Sequence, residues 1–426
     1  MNDTRIPRFI FNLIRSAKMG FFNFLWNKLT ETQALNETSG SFETAFFESA
    51  YRVVYLAGLS ASDRGLYLLY SSAVKLMILL FVGSELWFLF SQSESLDSII
   101  DNFNVTLIHL IAMYRYEVMM RHKDVYKNLA TSMERSPCFD ISTARRQEIV
   151  SYWYNNNEKY LKLVLGLGTC TLAAWYVFPL IDDIDYNLVV RVRLPYDYAN
   201  ISLYMPTYMM VLIAFNYASY FVMVNDVIMQ AHLMHLLCQF TVLADCFENI
   251  VPDCAKEFGD VHPDTLVSNN LFVERYTDRL RKLVDQHKFI LSNTQQLRTI
   301  LSAPMLGQLA ASGMLICFAG YQVTTAADSI AKFLMSLLYL GYNMFELFIF
   351  CRWCDEIKMQ SENIREAVYC SGWEGGLGAA PGVRGRIMLV AARAARPLVL
   401  TAGGLYDLSL NSYATVRCCC GVKVVV

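Results

Sequence analysis

Long apolar runs constrain this chain more than any other feature of its sequence. Seven of them reach the length of about 20 residues that an α-helix needs to cross a bilayer. They cover residues 66–90, 99–120, 161–181, 203–224, 300–321, 330–350 and 398–426. Over the whole chain only 17% of the residues are charged, against about a quarter in soluble domains. The runs therefore predict an all-α membrane protein with seven transmembrane helices.

The charges between these segments indicate the side of the membrane on which each link lies. Basic residues concentrate before the first segment and after the second, fourth and sixth, whereas the other links are acidic or neutral. Because basic links stay in the cytoplasm, the N-terminus is predicted to be cytoplasmic and the C-terminus extracellular. This orientation excludes a G-protein-coupled receptor. Asn200 begins a glycosylation sequon on the predicted extracellular side.

The sequence contains no pattern typical of a catalytic, cofactor or metal site. Twelve cysteines are present, but Cys351 and Cys354 form a lone C-x-x-C pair without the two further ligands that zinc needs. A net charge of −2 gives no reason to expect nucleic-acid binding. We therefore expect neither an enzyme nor a metal, cofactor or nucleic acid partner.

Four charged side chains fall inside the first two segments, namely Lys75, Glu85, Arg115 and Glu117. Charged groups are costly in lipid, so they either face a cavity or the protein interior, or pair and snorkel near the helix ends. The sequence leaves both interpretations open.

Aromatic side chains crowd the predicted outer ends of the helices and are candidate ligand-binding residues: Trp87, Trp175, Tyr176, Phe178, Tyr204, Tyr208, Phe215 and Tyr321. Interfacial aromatic belts produce the same enrichment. However, Tyr204, Tyr208, Val211 and Phe215 share one helical face. If that face points inward, it lines a largely apolar cavity suited to small volatile or lipid-like molecules.

Three motifs in the last third of the chain occur together. Residues 345–353 read FELFIFCRW, and residues 361–373 follow the pattern S-x-x-I-x-x-A-x-Y-x-S-x-W. A third motif contains Pro397, Gly403 and Gly404 and ends in Leu408-Ser409-Leu410. In this combination the chain resembles the insect odorant receptors, specifically their ligand-tuning subunits.

The resemblance implies an odorant-gated, nonselective cation channel in the cell membrane of olfactory sensory neurons. Its partners would be an odorant co-receptor subunit, with which it forms a heterotetramer, and a small hydrophobic odorant. Helix 7 is expected to break at Pro397, Gly403 and Gly404. Its last part would line the pore, with these candidates: Asp407, Ser409, Ser412, Tyr413 and Val416.

The same reasoning divides the chain into six parts. These are a cytoplasmic N-terminal segment (1–65), the first four helices with the ligand pocket (66–224), cytoplasmic helical extensions forming an anchor domain (225–299), helices 5 and 6 (300–350), a cytoplasmic loop with the first part of helix 7 (351–397), and the pore-side part of helix 7 (398–426). A gustatory-type receptor of the same architecture is the alternative, and a membrane transporter is a third.

Overall fold

The computed structural model describes most of the chain outside the two termini. The described residues are 30, 32, 42–60, 65–91, 96–135, 139–181, 186–256, 258, 268–325 and 330–419. Most of the predicted cytoplasmic segment before residue 42, and the last residues from 420 onward, lie outside them.

The described residues fold almost entirely into α-helices. Their bounds are α1 Phe42–Leu56, α2 Leu66–Ser91, α3 Leu96–Arg121, α4 Lys123–Ala130, α5 Ser132–Arg135, α6 Ala144–Ile181, α7 Ile201–Glu248, α8 Ile250–Ala255, α9 Asn270–Thr325, α10 Ile330–Tyr369, α11 Val383–Ala394 and α12 Leu410–Cys419. A short 3₁₀ turn covers Leu377–Ala379, and an antiparallel hairpin pairs β1 (Thr401–Ala402) with β2 (Tyr406–Asp407). The predicted all-α fold class is confirmed.

Five of the described helices, α2, α6, α7, α9 and α10, are long and apolar enough to cross a membrane. They correspond to five of the seven predicted segments. The second segment forms α3, which has 26 residues like α2 but is much more polar. Several of its polar residues are buried, among them Asn102, Asn104, His109 and Arg115. Helix α3 packs against α2, α7 and α9, so protein rather than lipid surrounds these groups.

Three helices are far longer than a membrane requires. Helices α7, α9 and α10 have 48, 56 and 40 residues, and 48 residues extend roughly 70 Å. Their continuations pack with α1, α8 and α11 around a shared core in which Phe240, Phe247, Tyr276, Leu280 and Leu283 are fully buried. Helical extensions, as predicted within residues 225–299, are therefore present as parts of α7 and α9.

The break in the last helix is wider than its sequence suggested. Helix α11 ends at Ala394, and residues 398–409, predicted as part of an apolar helix, are extended or in the β-hairpin. That prediction is wrong for a local reason. Gly403 and Gly404 adopt φ angles of +62° and +72°, a conformation that favours glycine and closes a three-residue hairpin loop. Helix α12 begins only at Leu410.

Candidate functional site

A partly open, mostly apolar cavity lies between α3, α6, α7 and α10; we call it the inner cavity. The centre of a water-sized sphere can occupy about 50 Å³ of it, within about 470 Å³ of empty space that includes open solvent. Its lining comprises Val105, Ile108, His109, Gly168, Thr171, Leu172, Trp175, Phe215, Ser219, Val222, Met223, Tyr339 and Tyr342. A concave, largely apolar site with a few convergent polar groups is typical of small-molecule binding.

Most hydroxyl groups in this wall are already used inside the protein. The Thr171 hydroxyl donates to the Leu167 carbonyl at 2.9 Å. The Tyr339 hydroxyl donates to the Asn104 carbonyl at 3.4 Å, and the Tyr342 hydroxyl to Asp226 Oδ2 at 3.3 Å. These bonds hold the wall in shape and leave few polar groups free to meet a ligand.

A second space, the outer cavity, adjoins the first and shares Val105, Trp175 and Tyr339 with it. The centre of a water-sized sphere can occupy about 180 Å³ of it, within about 890 Å³ of empty space that includes open solvent, and its more polar lining includes Gln322 and Lys332. The rings of Trp175 and Tyr339 meet edge to face, with centroids 6.1 Å apart, where the two cavities adjoin. This aromatic pair therefore forms the partition between them.

The link between α6 and α7 covers the outer cavity. Leu188, Val189 and Val190 are buried in the same core as the cavity walls. Asn102 Nδ2 donates to the Arg191 carbonyl at 2.7 Å, and the Arg193 amide donates to the Ser84 carbonyl at 3.3 Å. In the sequence this link was interpreted only from its charges. The apolar run at residues 188–190 was the signal that indicates burial.

Three of the eight candidate ligand-binding aromatics line a cavity. Trp175 and Phe215 line the inner cavity, and Trp175 and Phe178 line the outer one. The Tyr204 hydroxyl donates to the Asn187 carbonyl at 2.6 Å, and Tyr208 to the Tyr176 carbonyl at 3.3 Å.

The remaining five candidate aromatics pack behind the cavity lining or lie half exposed at the surface. Tyr176, Tyr204 and Tyr208 pack in the core that surrounds the inner cavity but line neither cavity. Trp87 is half exposed and lies under the Arg193 guanidinium, and Tyr321 is also half exposed. Neither of these two lines a cavity.

Several lining residues were not among the sequence candidates, notably His109, Met223, Tyr339 and Tyr342. They lie on α3, α7 and α10, away from the aromatic-rich outer ends on which the prediction concentrated. The one signal in the sequence was a histidine inside an apolar run, since buried polar groups in membrane helices usually face protein or a cavity.

Of the four charged residues in the first two segments, some face the protein interior and others lie nearer the surface, so both interpretations apply. Arg115 and Glu85 are buried and paired, Glu117 pairs with Arg121 on the surface, and Lys75 lies over the Tyr116 ring.

Directly beside the inner cavity, Arg115 joins three other helices. Its guanidinium lies 2.6 Å from Asp226 Oδ1 on α7 and 3.4 Å from Glu346 Oε1 on α10. It also donates to Gln308 Oε1 on α9 at 3.0 Å. Tyr342 belongs both to the cavity wall and to this cluster, so the wall and the charges form one connected structure.

The residues predicted to line a pore lie at the start of α12. Ser409 Oγ accepts from the Ser412 amide at 3.3 Å, and the Ser412 hydroxyl donates to the Asp407 carbonyl. The Tyr413 ring lies 5.5 Å from Phe348 on α10, and Val416 packs in the same cluster. Asp407 is exposed in β2. Asn200, the candidate glycosylation site, is exposed and caps α7 by accepting from the Ser202 amide at 3.4 Å.

Comparison with known proteins identifies the fold. The chain is 28% identical over 147 residues to Odorant receptor 82a of Drosophila melanogaster, a match that covers 34% of each protein. The match thus spans about a third of that relative. Among solved structures, the insect olfactory receptor OR5 from Machilis hrabei superposes with a TM-score of 0.73 at 16% identity, covering 88% of this chain and 95% of that one. Its complex with eugenol superposes with a TM-score of 0.70 at 15% identity, covering 89% and 97%.

The family comparison extends from α3 to α12 and includes the long continuations, but it does not include α2. The sequence model of the family described as 7tm Odorant receptor matches residues 95–420. This match covers α3 through α12, and it selects the odorant receptors over the gustatory and transporter alternatives and over any enzyme. The chain is a multi-pass membrane protein and belongs to the 7tm odorant receptor family.

Proposed function

We propose that this chain is the odorant-binding subunit of a ligand-gated, nonselective cation channel, assembled with an odorant co-receptor in the membrane of an olfactory neuron. The observation that carries the proposal is the inner cavity, which lies between four helices and has a mostly apolar lining with a few polar groups. The related OR5 fold has been solved with eugenol bound, which supports a small organic ligand for this chain too.

The arrangement of the cavities supports a route for the ligand. The outer cavity is more polar and lies under the link between α6 and α7, whereas the inner cavity is apolar. A volatile molecule enters the outer cavity first and displaces the edge-to-face contact of Trp175 and Tyr339. Its apolar surface then leaves water and contacts the apolar wall of the inner cavity. This transfer is favourable by about 25 cal/mol for each Å² of apolar surface buried.

Binding is coupled to the pore through α10 in this proposal. Tyr339 and Tyr342 line the inner cavity, and Phe348, two turns further along the same helix, contacts Tyr413 of α12. A shift of α10 on ligand binding therefore moves the helix that carries the pore candidates. The long continuations of α7, α9 and α10 form the cytoplasmic anchor between subunits, with the N-terminus on the same side.

Filling the inner cavity tests the proposal. Thr171→Phe places a ring in the space that the odorant would occupy, so the odorant concentration for half-maximal current should rise by roughly tenfold or more. The measurement is the current evoked by an odorant panel in cells that express the chain with its co-receptor. Cys170→Phe is the matched control, because Cys170 is the neighbouring residue of α6 and is exposed. Equal effects of the two variants, or no effect of Thr171→Phe, would show that the inner cavity does not hold the odorant.

A further inference from the structure

Two ionisable side chains form a buried pair at the wall of the inner cavity. Glu85 on α2 and His109 on α3 are 0% and 2% exposed, and His109 Nδ1 lies 3.0 Å from Glu85 Oε2. Only His109 of the pair lines the cavity. Because Nδ1 is engaged by Glu85, Nε2 is the nitrogen that His109 can present to a ligand.

The position of the imidazole ring is held from several sides. The rings of Phe81 and Phe215 pack edge-on against it, with centroids 5.9 Å and 6.3 Å away. Among the described residues, Glu85 Oε1 has no hydrogen-bond partner and His109 is the one basic group that pairs with Glu85. The carboxyl group therefore depends on His109 for compensation of its charge.

The number and position of the protons shared by Glu85 and His109 decide whether Nε2 donates or accepts a hydrogen bond. A net charge is costly in a buried apolar site, so the pair is expected to be neutral overall. If the proton lies on the imidazole, the histidine is a cation and both ring nitrogens carry hydrogen. If it lies on the carboxyl group, that group donates to Nδ1, and the neutral ring carries its hydrogen on Nε2. In both of these states Nε2 is a donor. A third neutral state, with the carboxyl proton on Oε1 and Nδ1–H donating to Oε2, is disfavoured because among the described residues Oε1 has no partner, so its O–H would be buried without an acceptor.

Few other donors compete for the ligand. The hydroxyls of Thr171, Tyr339 and Tyr342 donate to acceptors inside the protein. Ser219 and Trp175 are the other polar side chains in the lining, and the indole N–H of Trp175 is also a donor. A ligand that fills the inner cavity thus meets an apolar wall with three donors, namely the imidazole, a serine hydroxyl and an indole N–H.

From this arrangement we infer that His109, oriented by Glu85, is a specificity-determining residue that donates a hydrogen bond from Nε2 to an oxygen acceptor of the odorant. The favoured ligands are volatile carbonyl compounds, meaning ketones, aldehydes and esters. Hydrocarbons of the same shape bind less well because they leave the buried N–H without an acceptor. The inference rests on the proposed function, since it assigns a ligand class to the same cavity.

Shape-matched ligand pairs test the inference directly. The probes are methyl ketones of graded chain length, each paired with the alkene in which a methylene group replaces the carbonyl oxygen. Binding is measured as the rise in unfolding temperature of the full chain in lipid nanodiscs at increasing ligand concentration. We expect the wild-type chain to bind each ketone about tenfold more tightly than its alkene, as for a buried hydrogen bond with charge character.

The test variant removes both members of the pair. In Glu85→Leu/His109→Phe no buried carboxylate is left unpaired, and replacing both partners with apolar groups of similar shape is often neutral for folding. In this variant the ratio of ketone affinity to alkene affinity should fall to about one. Ser219→Ala and Trp175→Phe remove the other two donors one at a time, and each should keep the preference for the ketone.

The outcomes separate this inference from the proposed function. Equal binding of ketone and alkene by the wild-type chain, or a ketone preference that survives in the double variant, would overturn the role of His109. Loss of the preference in Ser219→Ala or in Trp175→Phe would assign the selectivity to that side chain instead of His109. Failure of every probe to bind, together with no effect of Thr171→Phe, would overturn the proposed function and this inference with it.

Discussion

At the scale of single residues, buried charge imposes the strictest requirements on this protein. Arg115 is 3% exposed and faces the carboxylates of Asp226 and Glu346, which are 2% and 5% exposed. Removing one member of such a cluster leaves the other charges without compensation in a medium of low dielectric constant. The cluster connects α3, α7, α9 and α10 beside the inner cavity.

We therefore predict that Arg115→Met destabilises the chain by about 3–5 kcal/mol. The matched control is Arg121→Met on the same helix, because Arg121 pairs with Glu117 at 2.8 Å while their side chains are 72% and 58% exposed. Exposed pairs contribute little to stability, so this control should unfold like the wild type. Unfolding temperatures in nanodiscs give the comparison. Similar losses in the two variants would mean that burial of the Arg115 cluster does not govern its contribution.

At the scale of elements, the segment between α11 and α12 is built by contacts with other helices. The Leu398 amide donates to Ser361 Oγ on α10 at 3.0 Å. The Gly403 amide donates to the Ser302 carbonyl on α9 at 2.8 Å. Ser361 belongs to the second of the three sequence motifs, and Leu398 lies in the third. The second motif therefore supplies a hydrogen-bond acceptor to the third. The segment between α11 and α12 is thus hydrogen-bonded to both α9 and α10.

The two glycines of the hairpin are predicted to differ in their tolerance of a side chain. Both have positive φ angles, so a substitution at either should cost about 1–2 kcal/mol of backbone strain. At Gly403 a Cβ would also lie 2.6 Å from Leu306 Cδ2, whereas at Gly404 it would meet open space. Gly403→Ala should therefore reduce surface expression and unfolding temperature more than Gly404→Ala does. Equal effects would contradict the close packing of the hairpin on α9.

At the scale of the whole molecule, the arrangement of charge between the apolar segments predicts how the chain crosses the membrane. Lys and Arg residues are concentrated in the links on one predicted side and are few in the links on the other. An N-terminus in the cytoplasm would place α12 and the outer cavity toward the extracellular surface. The exposed side chain of Asn200 at the start of α7 then faces the glycosylation machinery.

Glycan mapping tests this orientation. Asn200→Gln should abolish the shift in gel mobility that glycosidase treatment produces, because Asn200 would carry the glycan. The control is Asn36→Gln, which removes a sequon on the predicted cytoplasmic side and should change nothing. An epitope tag at the N-terminus should bind antibody only after the cells are permeabilised. A tag accessible in intact cells would reverse the proposed orientation.

The sequence by itself determined the class of protein and the position of most helices, because a run of about 20 apolar residues has few stable alternatives to a membrane helix. It also located the interruption near Pro397 and Gly403, since missing donors and left-handed glycines act locally. Tertiary structure decided which side chains line the cavities. A helix that is apolar all round carries no amphipathic signal of its inward face, so the positions of Trp175, His109 and Tyr339 follow from their neighbours. The burial of residues 188–190 and the hairpin on α9 were decided in the same way, by partners distant in sequence.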